Sequence, residues 1–174
     1  MTDAETVADN LNIKFDVIPI AETVNELTEG MSTHAERPTG IAYENIQARV
    51  RGAILMTLAN ERDALVLTPD NKSEGAVGYC TLYGDTVGAI APLGDCYKQI
   101  VYELAESLNA TPPTTINKQV IPQQVIEKEP SAELRDGQTD TDELPPYDVL
   151  DDVLHQYIEN RSSTEEVKSN HDTE

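Results

Sequence analysis

The sequence predicts an α/β layered domain, with helices packed on a parallel sheet. Three observations predict it. Amphipathic helical stretches alternate with short apolar runs along the chain. The runs at residues 13–20, 64–67 and 87–91 have the length and composition of strands. The run at 64–67 leads through a polar turn into a helix, and parallel sheets bind ligands at such turns, at the carboxyl ends of their strands.

Each element follows from local pattern. Ala4, Val7, Ala8 and Leu11 recur at helical spacing and predict a short helix over 3–11. Residues 13–20 (IKFDVIPI) alternate apolar and polar, which predicts a strand ended near Pro19. A second short helix over 21–29 stops at Gly30, and 30–40 reads as a loop. From Tyr43 to Asn60, the residues Ile46, Val50, Ala53, Ile54 and Leu58 line one face of a longer helix, with Arg49 and Arg51 pointing elsewhere. ALVL at 64–67 suits a buried parallel strand. A polar turn at 68–74 precedes a helix near 73–82, and 87–91 is a third strand. Asp95 is a suitable N-cap for a helix over 96–108. Residues 110–121 read as a surface loop, and Pro122 opens a short helix to about 126. A polar stretch over 129–146 precedes a last amphipathic helix built on Val149, Leu150, Val153, Leu154, Tyr157 and Ile158. Beyond Asn160 the composition predicts a disordered tail.

Composition narrows the function. The chain has 174 residues, 32 acids and 12 Lys+Arg, for a net charge of −20. Nucleic-acid binding needs a basic surface and is excluded over most of the protein. No apolar run reaches membrane-spanning length. The N-terminus has no basic region followed by an apolar one, so no signal peptide is expected. Cys80 and Cys96 form no CxxC pair and have no histidine nearby, which fits reduced thiols in the cytoplasm. The charge is uneven. Residues 45–98 hold six acids and five bases, a net of −1, so −19 lies on the flanks. The near-neutral middle is the segment best able to receive an anion.

Six strings carry more specific information. They are Glu44-Asn45-Ile46-Gln47-Ala48-Arg49, Asn71-Lys72-Ser73-Glu74, the stretch from Ala76 to Asp85 (AVGYCTLYGD), Asp95-Cys96-Tyr97-Lys98, Pro130-Ser131-Ala132-Glu133-Leu134, and the stretch from Gln138 to Tyr147 (QTDTDELPPY). In this order and spacing they closely resemble the synthetase domain of bacterial NAD synthetases, of the adenine nucleotide alpha-hydrolase-like ATP pyrophosphatase type. Thr81-Leu82-Tyr83 and Leu144-Pro145-Pro146-Tyr147 look more like the glutamine-dependent branch.

The resemblance implies a reaction in which ATP adenylates deamido-NAD and ammonia displaces AMP to give NAD. It implies ATP and Mg²⁺ as cofactors, ammonia supplied by a glutaminase domain, and a homodimer. Residue by residue, it implies ATP contacts at Pro69, Lys98 and Ser131. It implies deamido-NAD contacts at Asn45, Arg49, Glu74 and Asp85, and a metal ligand at Glu74, since a carboxylate suits Mg²⁺. Cys80, Cys96 and His155 are expected in structural or surface roles.

Departures from the family pattern qualify this. The Ser-Gly-Gly-x-Asp-Ser loop that follows the family's first strand does not occur here, nor does the glutaminase domain. The fold expected is therefore an incomplete Rossmann-like parallel sheet with flanking helices, lacking the first βα unit. Residues 1–160 would be a partial synthetase domain and 161–174 an acidic tail. The chain is not expected to be active alone, and the alternative is a non-catalytic remnant or a binding module of the same fold. Where the family has Thr-Thr-Gly before Asn-Lys-Ser-Glu, this chain has Thr68-Pro69-Asp70. Pro69 offers no hydroxyl and no N–H, and Asp70 adds negative charge where phosphates are expected.

Overall fold

 The structure, a computed structural model, describes residues 2–34, 36–113, 116 and 119–171. Parts of the expected loop over 110–121, and the last three residues of the expected tail, lie outside them.

Helices dominate. They are α1 (Asp3–Leu11), α2 (Ala21–Ser32), α3 (Ile41–Glu61), α4 (Lys72–Val77), α5 (Lys98–Ala110), α6 (Gln123–Glu127), α7 (Tyr147–Leu154) and α8 (Thr164–His171). A 3₁₀ turn covers Asp140–Asp142, and a π-helical turn, His155–Glu159, extends α7. Local signals explain the ends of α1 and α4. Thr2 and Glu5 form a capping box on α1, and Asn71 and Glu74 form another on α4. Gly78, at φ +72°, ends α4 in the left-handed conformation that a glycine adopts without strain. The α4 helix is therefore shorter than the 73–82 expected.

The parallel sheet is not there. Among the described residues there is no strand, only one parallel bridge between Leu67 and Ile90. Two backbone hydrogen bonds make it, from Thr68 N–H to the Ile90 carbonyl and from Ala89 N–H to the Val66 carbonyl. Residues 13–20 follow no ladder, and Ile13, Phe15, Val17 and Ile18 are exposed. Leu65 and Leu67 are exposed too. This overturns the α/β expectation. Strand composition makes a run compatible with a sheet, but a strand exists only when a neighbour takes its N–H and C=O groups. A parallel strand also needs both faces covered.

Two apolar clusters hold the helices. Val24 of α2 packs with Ile46 and Val50 of α3, flanked by Ile20, Tyr43 and Ile54. Tyr147, Leu150 and Leu154 of α7 form the second cluster, with Tyr97 and Leu144 against it. α7 packs on both α4 and α5. Beyond Asn160, where a disordered tail was expected, residues 164–171 form α8 with Val167 buried.

Asn109, near the end of α5, clasps the returning chain. Its Oδ1 accepts from the N–H groups of Val120 (3.1 Å) and Ile121 (2.9 Å), and its Nδ2 donates to the Ile121 carbonyl (2.7 Å). Val120 is buried. Replacing Asn109 with alanine strands these groups and should cost about 2–3 kcal/mol, read as a lower midpoint in urea unfolding. An unchanged midpoint would show that water replaces the clasp.

Candidate functional site

A cavity of about 380 Å³ opens between α3, the start of α4, the first turn of α5 and the segment from Ser131 to Glu143. One helix face builds its first wall. Ile41, Glu44, Asn45, Ala48 and Arg51 are spaced three or four apart and share one side of α3. The α4 capping box brings Glu74 to the second wall. The 131–138 segment is tied to α3 by the Gln47 amide, which donates to the Leu134 carbonyl (2.9 Å), and by the Glu44–Arg135 ion pair at 3.3 Å.

Of the seven residues singled out in the sequence, Asn45, Glu74, Asp85, Lys98 and Ser131 line this cavity. Arg49 and Pro69 do not. The Arg49 Nε donates to the Leu82 carbonyl at 3.2 Å, and Pro69 is exposed outside it. Arg51, set aside in the sequence, lines the cavity. Asn45 accepts from the Thr81 hydroxyl (2.7 Å), and Asp85 accepts from the Thr81 N–H (2.6 Å). Thr81 thus ties both residues to one turn. Ser131 accepts from the Glu133 N–H at 3.0 Å.

Glu74 and Lys98 form the charged centre. Lys98 Nζ lies 2.8 Å from Glu74 Oε1 and 5.0 Å from the centre of the Tyr147 ring. Glu74 Oε2 accepts from the Asn71 N–H at 3.3 Å. Both Glu74 oxygens are therefore engaged. Among the described residues no group of three His, Cys, Asp or Glu side chains could hold a metal. These residues do not fit a magnesium centre of their own.

Residues missed in the sequence sit behind this pair. Tyr147 donates from its hydroxyl to Asp140 Oδ2 at 2.8 Å. Burial, and then that hydrogen bond to Asp140, push the Tyr147 phenol upward. Tyr79 is pushed up to about 12, first by burial and then by the charge of Asp140. The Tyr79 hydroxyl and Asp140 Oδ1 are buried without a hydrogen-bond partner among the described residues. Only their position in the AVGYCTLYGD and QTDTDELPPY strings marked them, and no local pattern separates such residues from turn residues.

The cavity is acidic. Glu44, Glu74, Asp85, Asp140 and Glu143 face it against Arg51 and Lys98. The near-neutral segment 45–98 does not make a near-neutral site, because the fold brings Asp140 and Glu143 to it from the acidic flank. Asp70 adds to this charge. Burial raises its carboxyl, the Thr68 hydrogen bond opposes, and the charges of Asp85 and Glu74 raise it further. The Cys80 thiol is raised by burial and by Asp85, Asp70 and Glu74, so it is a poor nucleophile. Cys80 and Cys96 are both free. No described helix is long and apolar enough to cross a membrane.

The family model for NAD synthase matches residues 1–174. The chain belongs to the NAD synthase family. The glutamine-dependent NAD(+) synthetase of Thermotoga maritima is 45% identical over 168 residues, which are 96% of this chain and 28% of that protein. The solved glutamine-dependent NAD+ synthetase of Acinetobacter baumannii, in complex with ADP, has a TM-score of 0.66 and 38% identity, covering 97% of this chain and 29% of that one. The NMN synthetase of Francisella tularensis has a TM-score of 0.77 and 27% identity, covering 97% of this chain and 66% of that one. The chain thus spans little more than a quarter of the glutamine-dependent relatives it matches.

Proposed function

We propose that this chain forms the nucleotide-facing part of a glutamine-dependent NAD synthetase, an enzyme of NAD biosynthesis. In the complete protein, ATP would adenylate the nicotinate carboxylate of deamido-NAD, and ammonia from a glutaminase domain would displace AMP. The observation that carries this reading is the convergence of Asn45, Glu74, Asp85, Lys98 and Ser131 on one cavity, from five separate stretches of chain. Lys98 supplies positive charge for phosphate, and Asn45 and Asp85 supply polar contacts for deamido-NAD. Magnesium is proposed only as the companion of ATP. The reaction is assigned to the cytoplasm, and the two free thiols support that setting. Exposed Ile41, Leu55 and Met56 on α3 support pairing of two copies, which sedimentation can test.

The test is calorimetric titration of the chain with ATP and with deamido-NAD. Binding of both without turnover is expected. Formation of NAD and AMP by the chain alone would refute its dependence on the rest of the protein. The second reading is a non-catalytic remnant, favoured by the exposed Pro69 and by the crowding of Asp70 with Asp85 and Glu74. Absence of ATP binding would select it.

A further inference from the structure

We propose that Asp151, a buried acid outside the cavity, is the positioning residue for Lys98. The inference rests on the reading of Lys98 as an ATP contact. It starts from a gap in the capping of α5. The first N–H groups of a helix have no partners within it. Asp95, expected as the cap from the sequence, instead pairs with Lys72 at 2.7 Å. The residue at the cap position is Tyr97, which makes no side-chain capping bond.

The missing acceptors come from two other helices. Ser73 Oγ, on α4, accepts from the Lys98 N–H at 2.8 Å. Asp151 Oδ2, on α7, accepts from the Gln99 N–H at 2.8 Å. The Ser73 hydroxyl donates to Asp151 Oδ1, which closes the network. Ser73 has no exposed surface and Asp151 is 7% exposed. Both carboxylate oxygens and the hydroxyl are used. The carboxylate also stands at a helix N-terminus, where negative charge is favoured.

Lys98 is consequently held at both ends. Ser73 holds its N–H and Asp151 holds the next one, of Gln99, while Glu74, the neighbour of Ser73, fixes its ammonium. Tyr147, whose ring lies beside that ammonium, is four residues before Asp151 and on the same face of α7. One helix therefore supports the lysine at its backbone and its tip. Asp151 does not line the cavity, so any effect it has on a ligand there passes through Lys98.

The test uses the full chain and the substitutions Asp151→Asn, Lys98→Met and both together. An asparagine keeps one acceptor and turns the other into a donor, so either Ser73 or Gln99 loses its partner. Two readouts are taken. The first is nitrogen NMR without ligand, following hydrogen exchange at the Lys98 and Gln99 amides and the Lys98 ammonium signal. Faster exchange and a shifted ammonium signal are expected in Asp151→Asn, and unchanged signals would overturn the proposal whatever ATP does. The second is ATP affinity by calorimetry. Each single substitution should weaken ATP about tenfold, and the double no further than Lys98→Met alone. Effects that multiply would also overturn it, because Asp151 would then act apart from Lys98. If Lys98→Met binds ATP normally, the ATP reading of Lys98 fails, and the NMR result still decides the positioning role. Ser73→Ala serves in place of Asp151→Asn if that variant fails to fold.

Discussion

Asp70→Asn should bind ATP about tenfold more tightly than the parent chain at neutral pH. The carboxyl of Asp70 lies close enough to Asp85 and Glu74 for their charges to raise it, and the same charges face the cavity. A carboxylate about 8 Å from one phosphate charge, at an effective dielectric of about 40, is repelled by roughly 1 kcal/mol. ATP carries several such charges, which makes tenfold a moderate expectation. The substitution should also flatten a pH dependence. The folded protein binds the Asp70 proton more tightly than the unfolded chain does. Its contribution to stability is therefore full below the ordinary value of 3.8 and is lost as pH rises through the raised value. Urea unfolding of parent and variant across pH 3–7 (a range of about four units around that ordinary value) should show the parent losing this contribution and the variant not. Equal ATP affinity in both proteins would show that Asp70 points away from the phosphates.

Gly84→Ala should be the most damaging single methyl in the site. A Cβ at Gly84 would lie 2.8 Å from the Ala48 Cβ and 3.1 Å from both the Ala48 carbonyl carbon and the Thr81 Cβ. Gly52, one turn further along α3, meets the same turn, with the Tyr83 and Gly84 carbonyls 2.9 and 3.0 Å from where its Cβ would be. Here helix and turn pack backbone to backbone, and neither can yield by rotating a side chain. Overpacking of this kind costs about 1–3 kcal/mol, or a melting temperature lower by roughly 3–10 °C for a chain of this size. The turn carries Thr81 and Asp85, so the Thr81–Asn45 bond should loosen with it. Loss of deamido-NAD binding together with the thermal shift is the expected pair of results. A normal melting temperature would mean that the turn slides along α3 without strain.

The parts of the fold that were legible in the sequence are those set by short-range chemistry. Helical spacing located α3, and the Asn-Lys-Ser-Glu string contains the residues of the α4 capping box. The sheet was not legible, because alternation at 13–20 records a preference while pairing depends on a distant neighbour. The same limit separates the site residues. Asn45 and Glu74 were singled out through the family resemblance, and α3 and α4 place them at the cavity. Arg51 lines the cavity and Arg49 does not, since Arg51 continues the face of Glu44 and Ala48 while a step of two residues turns an α-helix by about 200°. Tyr147, with Asp140 bonded behind it, meets Lys98 only through tertiary packing, so their part in the site could not be seen from spacing. The charge count failed for that reason too: a net of −1 along residues 45–98 says nothing about which acids from elsewhere fold onto them.

The π-helical turn at His155–Glu159 has a consequence for comparing relatives by alignment. A π turn holds more residues than an α turn, so the chain leaves it out of step with the helix before it. Glu159 reaches Lys72 from the far side of this turn, and Lys72 also holds Asp95. In a relative whose helix continues as regular α, the residue aligned with Glu159 would point about 100° away. An acid at that column would then be no sign of the same tether, and its absence no sign of loss. The homologous contact must be sought one position along, where the extra residue has been accommodated.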